Sequence, residues 1–538
     1  MLLERIEISG FRGIKRLSLS FDQVTVLIGE NRWGKSSLLD ALSVALSPEF
    51  RGYKFKLSDF YQDFNLEAQQ TNQLNIVIQW RQSKKNQYKA SRYRSFRPYW
   101  CNDQGEQKLL YSISASHDGD KVTTQRDFLN FKGEVLERPD NYDLFYELTA
   151  LHPLLRLRDA RRLRNDNSPP SQLSNQIERR LAATTRRLET QPGNVNSGEI
   201  KSGLNAMYEL LEHYFALRPH PRENEGQLTH SPTPANVSAI ERFIQQNNHQ
   251  HQIIIMSLLS SYLHAKGDYH IRRSARPLLI IEEPEARLHP TLLNQVWQLL
   301  QKIPMQQVLT TNSSDLLSIT PIYSIRRLVR HSNHTHAYSV PLNKLSDKDL
   351  RRISFHVRFH RQGAFFARCW LLVEGETEIW LFNEFAKQCG YNLAAEGVQL
   401  VEFAQSGLKS MIRIAKELGI EWHVVTDGDN AGVKYAETTK RLCDNQNLRT
   451  RLTKLPSRDI EHFLYNNGYE QLFRDLAAAS NSPKLSKHHI VLKALRRHAK
   501  PDVALAVAAY SQEQGKHLIP RLLKITLNRV VSLARGVI

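Results

Sequence analysis

Cysteine is scarce. Four occur in 538 residues (Cys101, Cys369, Cys389 and Cys443), and none stands in a C-x-x-C pair. This excludes a zinc ribbon and a disulfide framework, and it suits a reducing compartment. Long apolar runs are missing too. No stretch approaches the roughly 18–20 residues that cross a bilayer, so no membrane partner is expected. The opening "MLLERIEISGFRG" carries Glu4, Arg5 and Glu7 where a secretory signal would have its apolar core. It reads as a strand, and a cytoplasmic location is expected. There is no internal repeat, which sets aside solenoids and propellers. Negative charge is in deficit: 73 Lys and Arg against 54 Asp and Glu leave a formal net charge of +19. Such a surplus concerns partners rather than fold, and polyanions are the natural ones.

The chain has enough apolar material to build cores, 41% against 24% charged, and it is too long for a single one. Residues 1–154 read as strands with an early helix, "SSLLDALSVAL", and strand-like pieces such as "LNIVIQW". Residues 155–248 turn polar, helical and loop-rich. "IERRLAATTRRLET" and "GLNAMYELLEHYFALR" have amphipathic spacing, and "NDNSPPS", "QPGNVNSGE" and "RPHPRENEG" are breaks. This part reads as an insertion, with a dimerisation role open to it. Residues 249–345 return to α/β sequence, 346–367 form a connector, and 368–538 form a second α/β unit ending in helices.

"GENRWGKSS", residues 29–37, matches G-x-x-x-x-G-K-[ST] between a strand and a helix. Gly29, Asn31, Gly34, Lys35, Ser36 and Ser37 are candidate contacts to ATP. The glycines let backbone N–H groups wrap the phosphates, Lys35 reaches the β- and γ-phosphates, and Ser36 can ligate Mg²⁺. The partner is "PLLIIEEPEARLHP", residues 277–290, a strand ending in two acids. Glu282 is expected near Mg²⁺, and Glu283 is expected to polarise the attacking water. The E-P-E-x-x-L-H-P run and "IEISGFRGI" resemble the ABC-type heads of recombination and repair ATPases. Those heads sandwich ATP between two copies, so the resemblance implies a homodimer or higher homo-oligomer. Three departures point to slow hydrolysis. The first acid is Glu282 rather than Asp. "NNHQHQIIIMSLLSSYL" stands where an L-S-G-G-Q signature belongs. Asn312 stands where such heads carry histidine.

A second acidic pattern lies downstream. "LLVEGETEIW" ends an apolar run in Glu374, with Glu378 one helical turn onward. Alone, such a pair is a solvated helix start, since acids favour helix N-termini. "EWHVVTDGDNAG" then ends another apolar run in Asp427 and Asp429. In a parallel sheet both strand ends face one crevice, and four carboxylates there call for cations. Oxygen donors suit Mg²⁺ or Mn²⁺.

E-G-x-x-E followed by D-x-D resembles the Toprim domain. With an ABC-type head ahead of it, the chain resembles the OLD (overcoming lysogenization defect) family of ATP-dependent endonucleases. The fold expected is therefore α/β: an ABC-type P-loop ATPase with a helical insertion, then a C-terminal Toprim α/β domain. The resemblance extends the metal site to Asp459 and Glu461 in "RDIEHFL". It adds a late lysine, Lys500 in "HAKPDVALAV", with Lys516 in "EQGKHLIP" as the alternative. It implies two-metal phosphodiester hydrolysis of DNA. One ion would sit near Glu374, Asp427 and Asp429, the other near Glu378 and Glu461, with Lys500 steadying the charge on phosphorus. An ATP-regulated role in phage defence or DNA repair, and a regulatory partner, are compatible with it.

Other patches carry less. Arg156, Arg158, Arg161, Arg162 and Arg164 in "LLRLRDARRLR" could meet DNA, neighbouring acids or a second subunit's nucleotide. "SKKNQYKASRYRSFRPYW", residues 83–100, mixes basic and aromatic side chains in a way that suits bases and phosphates or a solvated hairpin. His331, His334 and His336 read as a loop, with metal binding the lesser alternative, and His356 and His360 lack a nearby carboxylate partner. The competing reading is an ATP-switched DNA clamp that does not cut, and it leaves the acids unexplained. The missing zinc ribbon argues against a primase. No gated domain surrounds Tyr465 or Tyr510 to make a topoisomerase.

Overall fold

Alternating side chains build the first sheet. In β1 (Leu2–Phe11), Ile6 and Ile8 point inward while Glu7 and Ser9 point to solvent. β1 pairs antiparallel with β2 (Ile14–Ser20) and β4 (Gln73–Arg81). The sheet continues through β6 (Glu106–His117) to β5 (Trp100–Asp103), and β7 (Val122–Leu129) also pairs with β6. This is a computed structural model. It describes residues 1–50, 52–63, 71–103, 105–119, 121–136, 141–157, 176–190, 198–203, 205–207, 259, 262, 271, 275–286, 290–301, 305–341, 362–444, 447–479 and 485–537. The chain divides into two units, residues 1–316 with 324–337, and residues 317–323 with 338–538.

In the second sheet of the first unit, β3 and β9 are near-continuous apolar runs, as expected of central strands buried on both faces. Its order is β12-β11-β3-β10-β9-β8. These are β3 (Val24–Ile28), β8 (Leu154–Leu157), β9 (Leu278–Glu282), β10 (Gln306–Thr310), β11 (Ile325–Arg330) and β12 (Thr335–Tyr338). The pairings from β11 through to β8 are parallel. Helices ahead of the second unit's sheet include α1 (Lys35–Leu46), α2 (Asn141–Leu151), α3 (Gln176–Thr190), α4 (Pro290–Leu300) and α5 (Ser314–Ile319). β8 carries the sheet into residues 155–157, which the sequence assigns to the insertion. "IERRLAATTRRLET" is helical as α3. "NNHQHQIIIMSLLSSYL", apart from Leu259 and Tyr262, lies outside the described residues, as do Arg158, Arg161, Arg162, Arg164, His356 and His360.

Residues 83–100 correct the sequence reading. The segment is a series of 3-10 turns rather than a hairpin. Tyr93, Phe96 and Tyr99 are buried in the core of this unit, so those rings are closed to nucleic-acid bases.

The second unit is built on a four-stranded parallel sheet in the order β14-β13-β15-β16. The strands are β13 (Cys369–Val373), β14 (Val398–Glu402), β15 (Glu421–Thr426) and β16 (Leu452–Lys454). Every β13 side chain is buried. The helices are α6 (Glu376–Gln388), α7 (Leu408–Glu417), α8 (Asn430–Leu442), α9 (Leu448–Arg451), α10 (Ile460–Leu464), α11 (Glu470–Leu476), α12 (Lys487–Arg497), α13 (Lys500–Gln514) and α14 (Arg521–Arg535). α14 turns Leu523, Leu527, Val530 and Val531 into the core beneath β13 and β15. The first strand lies between the second and third, so chain direction reverses beside β13. Crevices at such a switch point are where open α/β sheets place their ligands.

Candidate functional sites

The first centre lies at the C-terminal ends of β3, β10 and β9. β3 feeds a tight turn into α1. At Gly29, φ is 145° and a Cβ would lie 2.8 Å from the Leu328 carbonyl oxygen, so only glycine fits. Lys35 is buried, and its ammonium donates to the Gly29 carbonyl and, at 3.0 Å, to Asn312 Oδ1. Burial lowers the Lys35 pKa, while Glu283, Glu285 and Glu30 oppose that shift. Asn31 and Ser36 are exposed at the turn, and Ser37 Oγ accepts from the Gly13 amide at 3.2 Å.

β10 separates the phosphate-loop strand from the acidic strand, with Thr310 level with Leu27 on one side and Glu282 on the other. Asn312, two residues past β10, therefore reaches both. Its Nδ2 donates to Glu283 Oε1 at 2.9 Å, and its backbone N–H donates to Glu285 Oε1 at 2.7 Å. Glu283 holds a left-handed backbone at φ 41°. Glu282 is tied to Arg156 Nε, and the Arg156 Nη1 donates to Asp40 Oδ1 at 2.6 Å. Of the three roles open to Arg156, the structure shows the ion pair. The glycine cradle, the buried lysine and the acids beyond it fit a magnesium nucleotide.

The second centre occupies the switch point of the Toprim-like sheet. Glu374 follows β13, and Gly375 is the N-cap of α6. Glu378 Oε2 accepts from the Gly375 amide at 3.2 Å, so its carboxylate reaches back to the N-cap of α6 while staying buried. Asp427 follows β15. Asp429 caps α8 by accepting from the Gly432 amide at 2.7 Å. The chain is drawn so tightly there that a Cβ on Gly432 would lie 2.0 Å from the Asp427 carbonyl oxygen. Asp459 caps α10 and pairs with His462 Nδ1 at 2.5 Å. Glu461, in the first turn of that helix, is buried.

These acids feel one another. The Asp427 carboxyl is pushed up to about 8, by burial first and then by Glu378, Glu374, Asp459 and Glu461. Glu461 is pushed up to about 7 by burial, with Asp459 and Glu378 adding to it and Lys500 opposing. Burial raises Glu374 and Glu378, and Lys500 opposes both shifts. Lys500 therefore belongs to this constellation. Lys516 acts on Cys389 instead. One oxygen of Glu374, Oε2, is buried with no hydrogen-bond partner. Among the described residues no three His, Cys, Asp or Glu side chains close on one point to form a finished cage. The donor set is nevertheless all oxygen and strongly anionic, with one orphaned carboxylate oxygen, and it fits a hard divalent cation.

The sequence reading missed two neighbours of this centre. Tyr435 lies on α8 with its phenol pKa raised by burial, then by Glu374 and Asp429, and its ring meets Phe403 edge-on at 5.0 Å. His462 joins Asp459 to His488, with His462 Nε2 and His488 Nδ1 3.0 Å apart. The i, i+3 spacing of Asp459 and His462 is a visible signal, whereas the partner His488 is not. In the first unit, His331 and His334 stack at 5.0 Å between β11 and β12, and neither they nor His336 join a metal-holding group among the described residues.

A family model described as a protein of unknown function, DUF2813, matches residues 1–364. A second, described as the Toprim domain of overcoming lysogenization defect protein-like sequences, matches residues 365–429. The chain is 42% identical to the uncharacterized protein YbjD of Escherichia coli (strain K12), covering 100% of both. It is 27% identical to the Old nuclease of Escherichia phage P2, covering 38% of each. Among solved structures, the C-terminal region of the Burkholderia pseudomallei OLD protein matches 31% of this chain and 99% of that one, at 18% identity and TM-score 0.26. The SMC head domain from Thermotoga maritima matches 64% of this chain and 100% of that one, at 11% identity and TM-score 0.32.

Proposed function

Because the chain belongs to the DUF2813 family and carries an OLD-like Toprim domain, we propose that it is an ATP-binding, Mg²⁺- or Mn²⁺-dependent DNA endonuclease. The observation that carries this reading is the coupled acidic constellation at the sheet's switch point, with Lys500 as its counter-charge. An inert scaffold gains nothing from burying carboxylates that repel one another. Bound divalent cations would neutralise these acids and lower the pKa of an attacking water.

The chain's own residues have distinct tasks. Glu374, Asp427 and Asp429 stand on adjacent strand ends as one oxygen-donor group. Glu378 and Glu461 present a second group from the first turns of α6 and α10. Asp459 contributes less as a ligand, because His462 occupies its Oδ1. Lys500 is exposed at the start of α13, where its ammonium can meet a phosphodiester oxygen. In the first unit, Gly29, Asn31, Gly34, Lys35, Ser36 and Ser37 hold ATP. Glu282 faces its cation once Arg156 shares it, and Glu283 orients water. Asn312 links Lys35 to Glu283, so phosphate binding at Lys35 is felt at the acid.

The test is nicking of supercoiled plasmid by wild type and Asp427→Ala, in Mg²⁺, Mn²⁺ or EDTA, with and without ATP. We expect metal-dependent nicking that the variant loses by at least 100-fold while its ATP binding is unchanged. Absence of nicking alongside intact ATP and DNA binding would replace this reading with the ATP-switched clamp.

A further inference from the structure

An acidic site that cuts a polyanion has an electrostatic problem. Its carboxylates repel the backbone it must approach, so cations have to hold that backbone beside the site. We propose that the exposed face of α12 is the track for one strand of the DNA backbone, leading it to the acidic constellation. The inference rests on the nuclease reading for its substrate.

Four observations converge on α12. Its sequence, "KHHIVLKALRR", holds four Lys or Arg and two His and no acid. The helix sorts them by face: Ile490, Val491 and Ala494 are buried, while His489, Lys493, Arg496 and Arg497 are exposed at spacings of three and four. None of Lys487, Lys493, Arg496 or Arg497 has a carboxylate partner among the described residues, so the charge of this face is open to a polyanion. The fourth observation is location. His488 in the first turn meets His462, which holds Asp459 of the acidic site. Just past the helix's other end comes Lys500, whose charge acts on Glu374, Glu378 and Glu461. The helix thus starts beside the acidic site through His488 and His462, and a short link after Arg497 leads to Lys500.

Its length suits the occupant. Eleven residues span roughly 15 Å, enough to lie along about two or three successive phosphates of one strand. Contacts of this kind do not read sequence; they set register and release counterions.

The experiment measures affinity for a fluorescent 30-base-pair duplex against salt concentration, in EDTA, so that no cutting intervenes. The test protein carries Lys493→Gln, Arg496→Gln and Arg497→Gln. The control carries Lys387→Gln, Arg441→Gln and Arg535→Gln, which removes the same net charge from exposed ion-paired positions. Circular dichroism and thermal melting check that both remain folded. We expect the test protein to lose at least tenfold in affinity at moderate salt. Its salt slope should be shallower by about 2–3, since each lost phosphate contact is worth about 0.9 in slope, and the control should stay within twofold of wild type. An unchanged slope, an equal loss in both proteins, or a wild type that binds no duplex would overturn the proposal. Binding and cutting are separable here. Binding that follows this pattern without any nicking keeps the track and removes the nuclease. Nicking with an unchanged slope does the reverse.

Discussion

Arg156 is the residue on which the two halves of the nucleotide site meet. Its side chain is 9% exposed, and it is shared between Glu282 at the end of β9 and Asp40 on α1. Asp40 is also paired with Arg12, which holds Asp59 at 3.0 Å. Charges therefore alternate from the turn after β1 to the acid that would face a cation. Truncation would take a shared cation from two partly buried carboxylates, leaving Asp40 with Arg12. We expect Arg156→Ala to cost about 3 kcal/mol, seen as a lower urea midpoint. Arg156→Lys should recover part of this and no more, because one ammonium cannot serve two carboxylates with a planar fork. Equal stability in Ala and wild type would show the ion pairs to be incidental. From sequence, "LLRLRDARRLR" leaves the arginine's partner open among acids, DNA and nucleotide. The choice depends on β8 lying against β9, which no local pattern states.

Between elements, the Toprim-like sheet is fastened by a buried polar chain. His423 on β15 is fully buried, with Nδ1 2.8 Å from the Thr450 carbonyl oxygen and Nε2 2.8 Å from Thr453 Oγ1 on β16. Thr453 Oγ1 lies 3.0 Å from Thr526 Oγ1 on α14. Burial lowers the His423 pKa from 6.5 to about 4, and the Arg529 and Arg451 charges push the same way. The unfolded chain binds a proton at His423 more readily than the folded one does. Its contribution is therefore complete above pH 6.5 and is lost as pH falls toward 4. From pH 7 to 5 the loss should be about 2 kcal/mol. Urea unfolding of wild type and His423→Gln at both pH values checks it: the gap between them should narrow at pH 5, and a gap that stays constant would refute the assignment. Much of this unit is legible in sequence. "CWLLVEG" and "EWHVVTDGD" announce strands with acids at their ends, because apolar runs bounded by glycine are a local signal. The partnership of His462 with His488, 26 residues apart, is not, since it depends on α10 and α12 packing side by side.

On the scale of the whole molecule, each unit carries its own constellation, one suited to a nucleotide and one to divalent cations. The first unit holds Glu283 strained and hydrogen-bonded to Asn312, a suitable arrangement for a slow switch. If ATP is sandwiched between two copies, slowing hydrolysis should trap the assembly. We expect Glu283→Gln with ATP and Mg²⁺ to sediment as a dimer, and Lys35→Ala to remain at the nucleotide-free size under the same conditions. Identical sedimentation of the two variants would remove the sandwich.

The sequence by itself determined the phosphate loop, the paired acids after β9, the acids after β13 and β15, and the basic excess. Each is written in consecutive residues whose chemistry and spacing are local. Only the tertiary structure decided which lysine joins the acids, which partner Arg156 takes, and that Asn312 bridges Lys35 and Glu283. It also withdrew Tyr93, Phe96 and Tyr99 from any surface role. Those outcomes turn on sheet order and helix packing, which bring together residues tens to hundreds of positions apart, and only the collapsed chain sets which of them meet.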